Sequence, residues 1–289
     1  MSAGYVARLR RVLLTAIAVL VFVALAGATY QGVATALERR RYPRPGGMVA
    51  AGGRQLHIVC RGDGAPTVVL EAPATGMSSS WGWVQLAVAE TTRVCAYDRA
   101  GLGWSEAGDG GFVADNVPSQ LSTVLMNAGE PPPFVVAGQG LGAAFATLYA
   151  SQYPDSVAAL VLIDGPGDAP GTADDAMPAV HMWPWLARAG VLRATRMLSR
   201  HAEGLPPDSA GPLASFLNRP DHLTRAGREL DEWEAIAERA AAAALPAHIP
   251  VRRVEVAGPA RVALLTDQAA AAAATEAILA AVTAVRAGH

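Results

Sequence analysis

Residues Gly138-Gln139-Gly140-Leu141-Gly142 follow a short apolar run, Phe134 to Ala137, and precede a helix-like segment that reaches Ala150. A strand, a glycine turn and a helix serve two chemistries. A nucleophile elbow presents a Ser, Cys or Asp from the centre of the turn to a carbonyl carbon. A dinucleotide-binding turn needs only glycines, because the backbone itself approaches the pyrophosphate. Gly138-x-Gly140-x-x-Ala143 fits the second pattern. Asp164 ends the next apolar run, 26 positions after Gly138, where a ribose-binding acid would stand. The first pattern fits in shape but not in chemistry: its central residue is Gly140, which has no atom that can attack a carbonyl.

Other residues of a reactive type are scattered. Ser78-Ser79-Ser80 offers hydroxyls, and a displaced nucleophile there is one alternative; a helix cap is the ordinary role of such a run. His57, His181, His201 and His222 do not pair at metal-ligand spacing, so they are expected to be structural or surface residues, and no metal and no cofactor is expected. The chain carries 23 basic and 25 acidic residues, with a net charge of −2. That balance excludes a nucleic-acid partner driven by charge. All the basic residues are Arg.

The elements that position these groups are legible as alternating strands and helices. Apolar runs Thr67–Ala72, Thr92–Tyr97, Phe134–Ala137 and Ala158–Ile163 predict buried parallel strands. Two shorter segments around Gly52-Gly53 predict a hairpin. Helical segments are expected around 81–90, 117–128 and 142–153. From 166 to 245 the pattern is helical throughout, one strand follows at Val251–Ala257, and a last helix, capped by Thr266 or Asp267, runs to about Arg286. This alternation is that of a mostly parallel sheet covered on both faces.

Ahead of this domain, Val12 to Tyr30 is a 19-residue run without a charge. As a helix it is about 28 Å long, close to a bilayer core. It reads as a membrane anchor; Ala24-Leu25-Ala26 and Ala26-Gly27-Ala28 keep a cleaved signal peptide as the alternative. Residues 1–11 are then a cytoplasmic N-terminus, 31–47 a tether, and 48–289 the folded domain, with a helical cap at about 166–245. In that cap Arg193, Arg196 and Arg200 fall on one face of a Trp185-bearing helix. Such a helix can lie on a membrane; a lid with a solvated outer face is the reading preferred here.

The stretches GGRQLHIVCRGDGAPTVVLEA, YDRAGLGWSE and YASQYPDSVAALVLIDG resemble the α/β-hydrolase superfamily, in particular its bacterial membrane-anchored branch. The resemblance runs from about residue 48 to 166. It implies the α/β-hydrolase fold, a sheet with strand order 1-2-4-3-5-6, and an elbow at Gly138–Gly142 with Gly140 in the nucleophile position. It places Arg261 at the position of the catalytic His, and a guanidinium cannot serve as a general base near neutrality. Pro73 stands where a Gly usually shapes the oxyanion loop, leaving the backbone of Ala74 and Leu141 as donors. Asp164 is a possible acid, or a turn residue. The family has two strands where this sequence shows one clear strand after the cap. The implied strand order makes the strands of Cys60 and Cys95, the two cysteines of the chain, neighbours, so a disulfide between them is expected, with two buried free thiols as the alternative.

These readings add up to an expectation. The protein is a membrane-anchored α/β-hydrolase-fold protein without serine-hydrolase catalysis, holding an apolar or acyl ligand or serving as a scaffold. Its protein partner is not specified. The alternatives are an active ester or lipid hydrolase with a displaced nucleophile, and a nucleotide-binding protein using residues 138–143. Arg8, Arg10 and Arg11 before the apolar run and Arg39, Arg40, Arg41 and Arg44 after it slightly favour a cytoplasmic domain. The expected disulfide favours an extracytoplasmic one, and large domains translocate largely regardless of flanking charge.

Overall fold

The computed structural model describes residues 3–108, 111–165, 180–255 and 266–288. Its centre is a seven-stranded sheet in the order β1-β2-β4-β3-β5-β6-β7. The strands are β1 (Gly47–Ala51), β2 (Arg54–Arg61), β3 (Val68–Glu71), β4 (Val94–Tyr97), β5 (Phe134–Gln139), β6 (Val157–Ile163) and β7 (Val251–Val254). β1 and β2 form the hairpin and β2 meets β4 antiparallel; the remaining pairs are parallel. β3, β4 and β5 are buried along their whole length. This is why their sequences are continuous apolar runs rather than alternating ones.

Helices cover both faces. On one side α2 (Gly82–Ala89) and α10 (Gln268–Ala287) pack on the sheet. In α10 the buried positions Ala270, Ala271, Ala274, Ala277, Ile278, Ala281 and Val282 repeat at helical spacing, and the Asp267 carboxylate caps its first turn by accepting from Ala270 N. On the other side lie α3 (Asn116–Asn127) and α4 (Leu141–Gln152). In the cap that follows, the described residues form the helices α5 (Trp183–Arg188), α6 (Val191–Thr195), α7 (Pro207–Phe216), α8 (Pro220–Asp231) and α9 (Trp233–Ala242). The cap departs from the expected long helices in two places. Its first helix breaks at Gly190 and again at Arg196, both left-handed. Arg193, Arg196 and Arg200 therefore do not share one face: Arg193 is turned inward, while Arg196 and Arg200 are exposed. The second expected helix divides at Glu232 into α8 and α9.

The N-terminal helix α1 spans Ala3–Arg41. It does not end with the apolar run, so residues 31–41 are not a tether. Good helix formers at Ala34, Ala36, Leu37 and Glu38 carry it on, three arginines complement its C-terminal dipole, and it stops ahead of Pro43 and Pro45. It is long and apolar enough to cross a membrane. Whether an eighth strand exists falls on residues 256–265, outside the described residues.

In the register of β2 and β4, Cys60 faces Cys95. Their sulfurs are joined in a disulfide across 35 residues of sequence. On the chain-entropy account, closing a loop of that length stabilises by about 3–4 kcal/mol. Protein isolated without reductant is expected to resist thiol alkylation and to take two labels after reduction. The Cys60→Ala/Cys95→Ala variant should unfold at lower urea, by an amount matching that loss; two labels without reductant would contradict the pairing.

Candidate functional site

β5 runs into α4 through Gly140, whose backbone has φ +55° and ψ −117°. This is the strained strand-to-helix turn of a nucleophile elbow. The neighbouring glycines are required by packing alone. A Cβ at Gly138 would run into the Gly142 backbone, and one at Gly142 into the carbonyls of Glu71 and Ala72. Gly140 differs. A Cβ there meets nothing closer than the Trp233 ring, at 3.8 Å. The socket for a side chain is present, and the residue in it has none. The Gly140 N–H donates to Ile163 O (2.9 Å), which puts the elbow one residue from Asp164 at the end of β6. Asp164 itself has positive φ (+48°). Arg261 lies outside the described residues.

The space around the elbow is apolar. Leu141, Ala144 and Phe145 of α4 pack with Ile236 of α9, and Ala74, Phe112, Leu148 and Trp233 border them. The loop carrying Ala74 is fixed from two sides. Arg99, two residues past the end of β4, donates to Ala72 O (2.5 Å) and Pro73 O (3.1 Å). His222 of α8 has its Nε2 2.9 Å from Thr75 O, and its Nδ1 accepts from the Gly103 N–H (3.1 Å). These partners set the tautomer: Nε2 carries the proton. Burial pushes the His222 pKa down, which keeps the ring neutral.

Arg99 is the hub of this arrangement. Its guanidinium is buried between Glu71 of β3 (2.8 Å) and Glu229 of α8 (2.7 Å). Arg225 joins Glu229 at 3.1 Å, and Tyr97 donates to Glu71 at 2.6 Å. Burial pushes the Glu71 carboxyl up, against the pull of Arg99. Burial acts on Glu229 in the same sense, but there Arg99 and Arg225 win and hold it below the usual range. Sequence reasoning missed this cluster and Trp233. A signal existed for Glu229: it interrupts the buried stripe His222, Leu223, Ala226, Gly227, Leu230 of α8 with a charge.

Ser78, Ser79 and Ser80 form a 3₁₀ turn away from the elbow. Ser78 Oγ lies 3.5 Å from His57 Nδ1, and the same nitrogen is 2.9 Å from Asp98 Oδ2. His57 Nε2 faces Pro45 O at 2.6 Å. A triad needs Ser and Asp on opposite ring nitrogens. Here both approach one, and the other is taken. Asp98 is a structural anion, accepting from Ser78 N (2.6 Å) and Trp104 N (2.9 Å) as well. Burial would raise its pKa, but His57 and these two N–H groups outweigh it and leave it lowered. The nucleotide alternative fares no better. The room beside Gly138 is filled by the Gly142 backbone, and the Trp233 ring lies nearest to Gly140. The remaining histidines are peripheral: His181 forms an exposed ion pair with Asp231, and His201 is half-buried on the cap. Among the described residues one group has metal-ligand spacing, Cys60, Cys95 and Glu130; its cysteines form the disulfide, and Glu130 is held by Arg93.

Residues 66–226, more than half of the chain, match the family model described as alpha/beta hydrolase fold. The chain belongs to the α/β-hydrolase fold family. Among solved structures, the enol-lactonase from Burkholderia xenovorans LB400 superposes with a TM-score of 0.60 at 19% identity, over 82% of this chain and all of that one. A membrane phospholipase A described as a bacterial virulence factor superposes with a TM-score of 0.56 at 18% identity, over 99% of both chains. These likenesses establish the fold. The uncharacterized protein YbdG of Bacillus subtilis is 26% identical over 125 residues, 41% of this chain and 37% of that protein. The matches to curated relatives span well under half of those proteins' length. Within this α/β-hydrolase fold the elbow, its loop and the cap are tied together by Arg99.

Removing that tie has an expected cost. Arg99→Met leaves Glu71 buried without its cation and Glu229 with Arg225 alone, and should destabilise by about 3–5 kcal/mol. Adding Glu229→Gln should recover part of the loss, a non-additivity readable by denaturant titration. Asp98 has a second, pH-dependent consequence. Its folded pKa is lowered, so its contribution is complete above the ordinary carboxylate range and is lost as pH falls through the folded value. Glu229 acts in the same sense and Glu71 in the opposite one. In Asp98→Asn the decline in stability below about pH 4 should be shallower than in the parent; an unchanged slope would remove Asp98 from the account.

Proposed function

We propose that this protein is a membrane-anchored α/β-hydrolase-fold binding protein that lacks serine-hydrolase catalysis, with its folded domain outside the cytoplasm. One observation carries the reading: Gly140 holds the elbow conformation with an open place for a side chain, and supplies no nucleophile. A covalent mechanism at this elbow has no first step without an oxygen or sulfur there. The sequence adds that no His occurs between His248 and His289, with Arg261 near the position where a general base would stand. The apolar cluster beside the elbow, with Phe112, Leu141, Phe145, Leu148, Trp233 and Ile236, supports a small apolar or acyl group as the ligand class. The apolar length of α1 supports the anchor, and the disulfide supports an oxidising compartment.

The purified protein should not react with a serine-directed fluorophosphonate and should turn over short acyl esters at background. Gly140→Ser should restore little turnover, because a hydroxyl without a base stays protonated. The same change should destabilise the fold by about 1–3 kcal/mol, since only Gly holds this backbone geometry without strain. Probe labelling of the parent protein that vanishes in Ser78→Ala, Ser79→Ala or Ser80→Ala would overturn the proposal and reveal a displaced nucleophile.

A further inference from the structure

Helix α1 touches the rest of the protein along one stripe. From Gly4 to Ala26 every residue is exposed. From Gly27 on, the residues withdrawn from solvent are Gly27, Gln31, Ala34, Thr35 and Glu38, which share one helical face. Contact therefore begins three residues inside the apolar run that ends at Tyr30, about 4.5 Å along the helix axis. The partner there is the turn between α5 and α6. A Cβ on Gly27 would run into the Ala189 carbonyl, and one on Gly190 would lie 3.1 Å from both Gly27 O and the Tyr30 ring. The cap thus abuts α1 at a level where α1 is still apolar.

The side chains flanking that turn are unusual for a water-facing surface. Trp185 is 71% exposed, Met182 57% and Val191 37%. Leu192 of the same segment is buried, so these are not core residues facing out by default. The Arg188 guanidinium lies over the Trp185 ring at 5.1 Å. This patch flanks the Ala189–Gly190 turn that abuts Gly27 and Tyr30 of α1. We infer that the α5–α6 face of the cap is a lipid-contact surface: Met182, Trp185 and Val191 enter the headgroup–acyl boundary of the bilayer that α1 crosses, with Arg188 among the phosphates. Trp is suited to that depth, with an apolar ring and one N–H, and Arg reaches the polar layer from an apolar stem. The occupant is a phospholipid bilayer because the depth is set by α1 itself. The inference rests on α1 being a membrane anchor.

The test uses the full chain in phospholipid vesicles. Both native cysteines are in the disulfide, so a single introduced cysteine carries an environment-sensitive fluorophore. Trp185→Cys and Met182→Cys report on the cap and Leu20→Cys on the anchor. Met126→Cys is the distant control. Met126 is exposed near the end of α3, where the chain turns toward the start of β5, whereas the cap covers the other end of that strand. Quenching by spin-labelled phospholipid should be severalfold stronger at 185 and 182 than at 126, and quenching by aqueous iodide severalfold weaker. Lipid quenching at Leu20 with 185 and 182 behaving like 126 would overturn the inference while the anchor stands. Lack of lipid quenching at all four sites would remove the anchor too. Protection of 185 and 182 from both quenchers would assign the face to a second copy of the chain and overturn the lipid assignment.

Discussion

The buried Arg99 guanidinium is the interaction on which the rest of the site depends. An isolated charge in such a place would be prohibitive, and even a paired one returns little net stability. What it gives is connection. Its donors reach a strand end (Glu71), two carbonyls of the loop beside the elbow (Ala72 and Pro73) and the cap (Glu229). Lifting the cap would separate Arg99 from Glu229 and His222 from Thr75 O, leaving buried polar groups without partners. The cap is therefore a fixed roof, and the geometry beneath it is set before any ligand arrives.

Fixed geometry explains why the elbow persists without its nucleophile. The positive-φ turn is demanded by the close approach of Gly138 and Gly142 to backbone, not by the chemistry of position 140. Serine at such a turn stores backbone strain; glycine holds the same geometry without it. The fold loses nothing by the exchange. The apolar packing of Leu141, Phe145, Trp233 and Ile236 beside the turn does not depend on a side chain at position 140.

Much of this was legible in the sequence. Continuous apolar runs located β3, β4, β5 and β6, because strands buried on both faces need no polar positions. Strand order came from the resemblance, and with it the adjacency of Cys60 and Cys95. The elbow was visible as glycines. Long-range polar connections were not: that Glu229 reaches Arg99 across 130 residues depends on how the cap folds over the sheet, which no local pattern encodes. The cap's breaks escaped for a related reason. Arg196 adopts a left-handed conformation that its residue type disfavours, so tertiary packing and not propensity ends that helix. The continuation of α1 past Tyr30 is a third case. Polar residues 31–41 look like a linker until their partners in the cap are known.

Those partners make α1 a rigid part of the molecule. Gln31 donates to Asn218 O at 2.6 Å and accepts from Arg193 Nε at 2.9 Å. Glu38 takes the other side of Arg193, and Ser215 donates to Glu38 at 2.6 Å. Gln31 is buried and Glu38 partly so, and removing any one member would leave the others desolvated and unpaired. A flexible leash would let the domain tumble relative to α1. A helix that enters the domain without a break, and is gripped by a buried polar network on the cap, transmits its own orientation to the sheet. The direction in which Gly140 and its roof face is therefore fixed relative to the axis of α1.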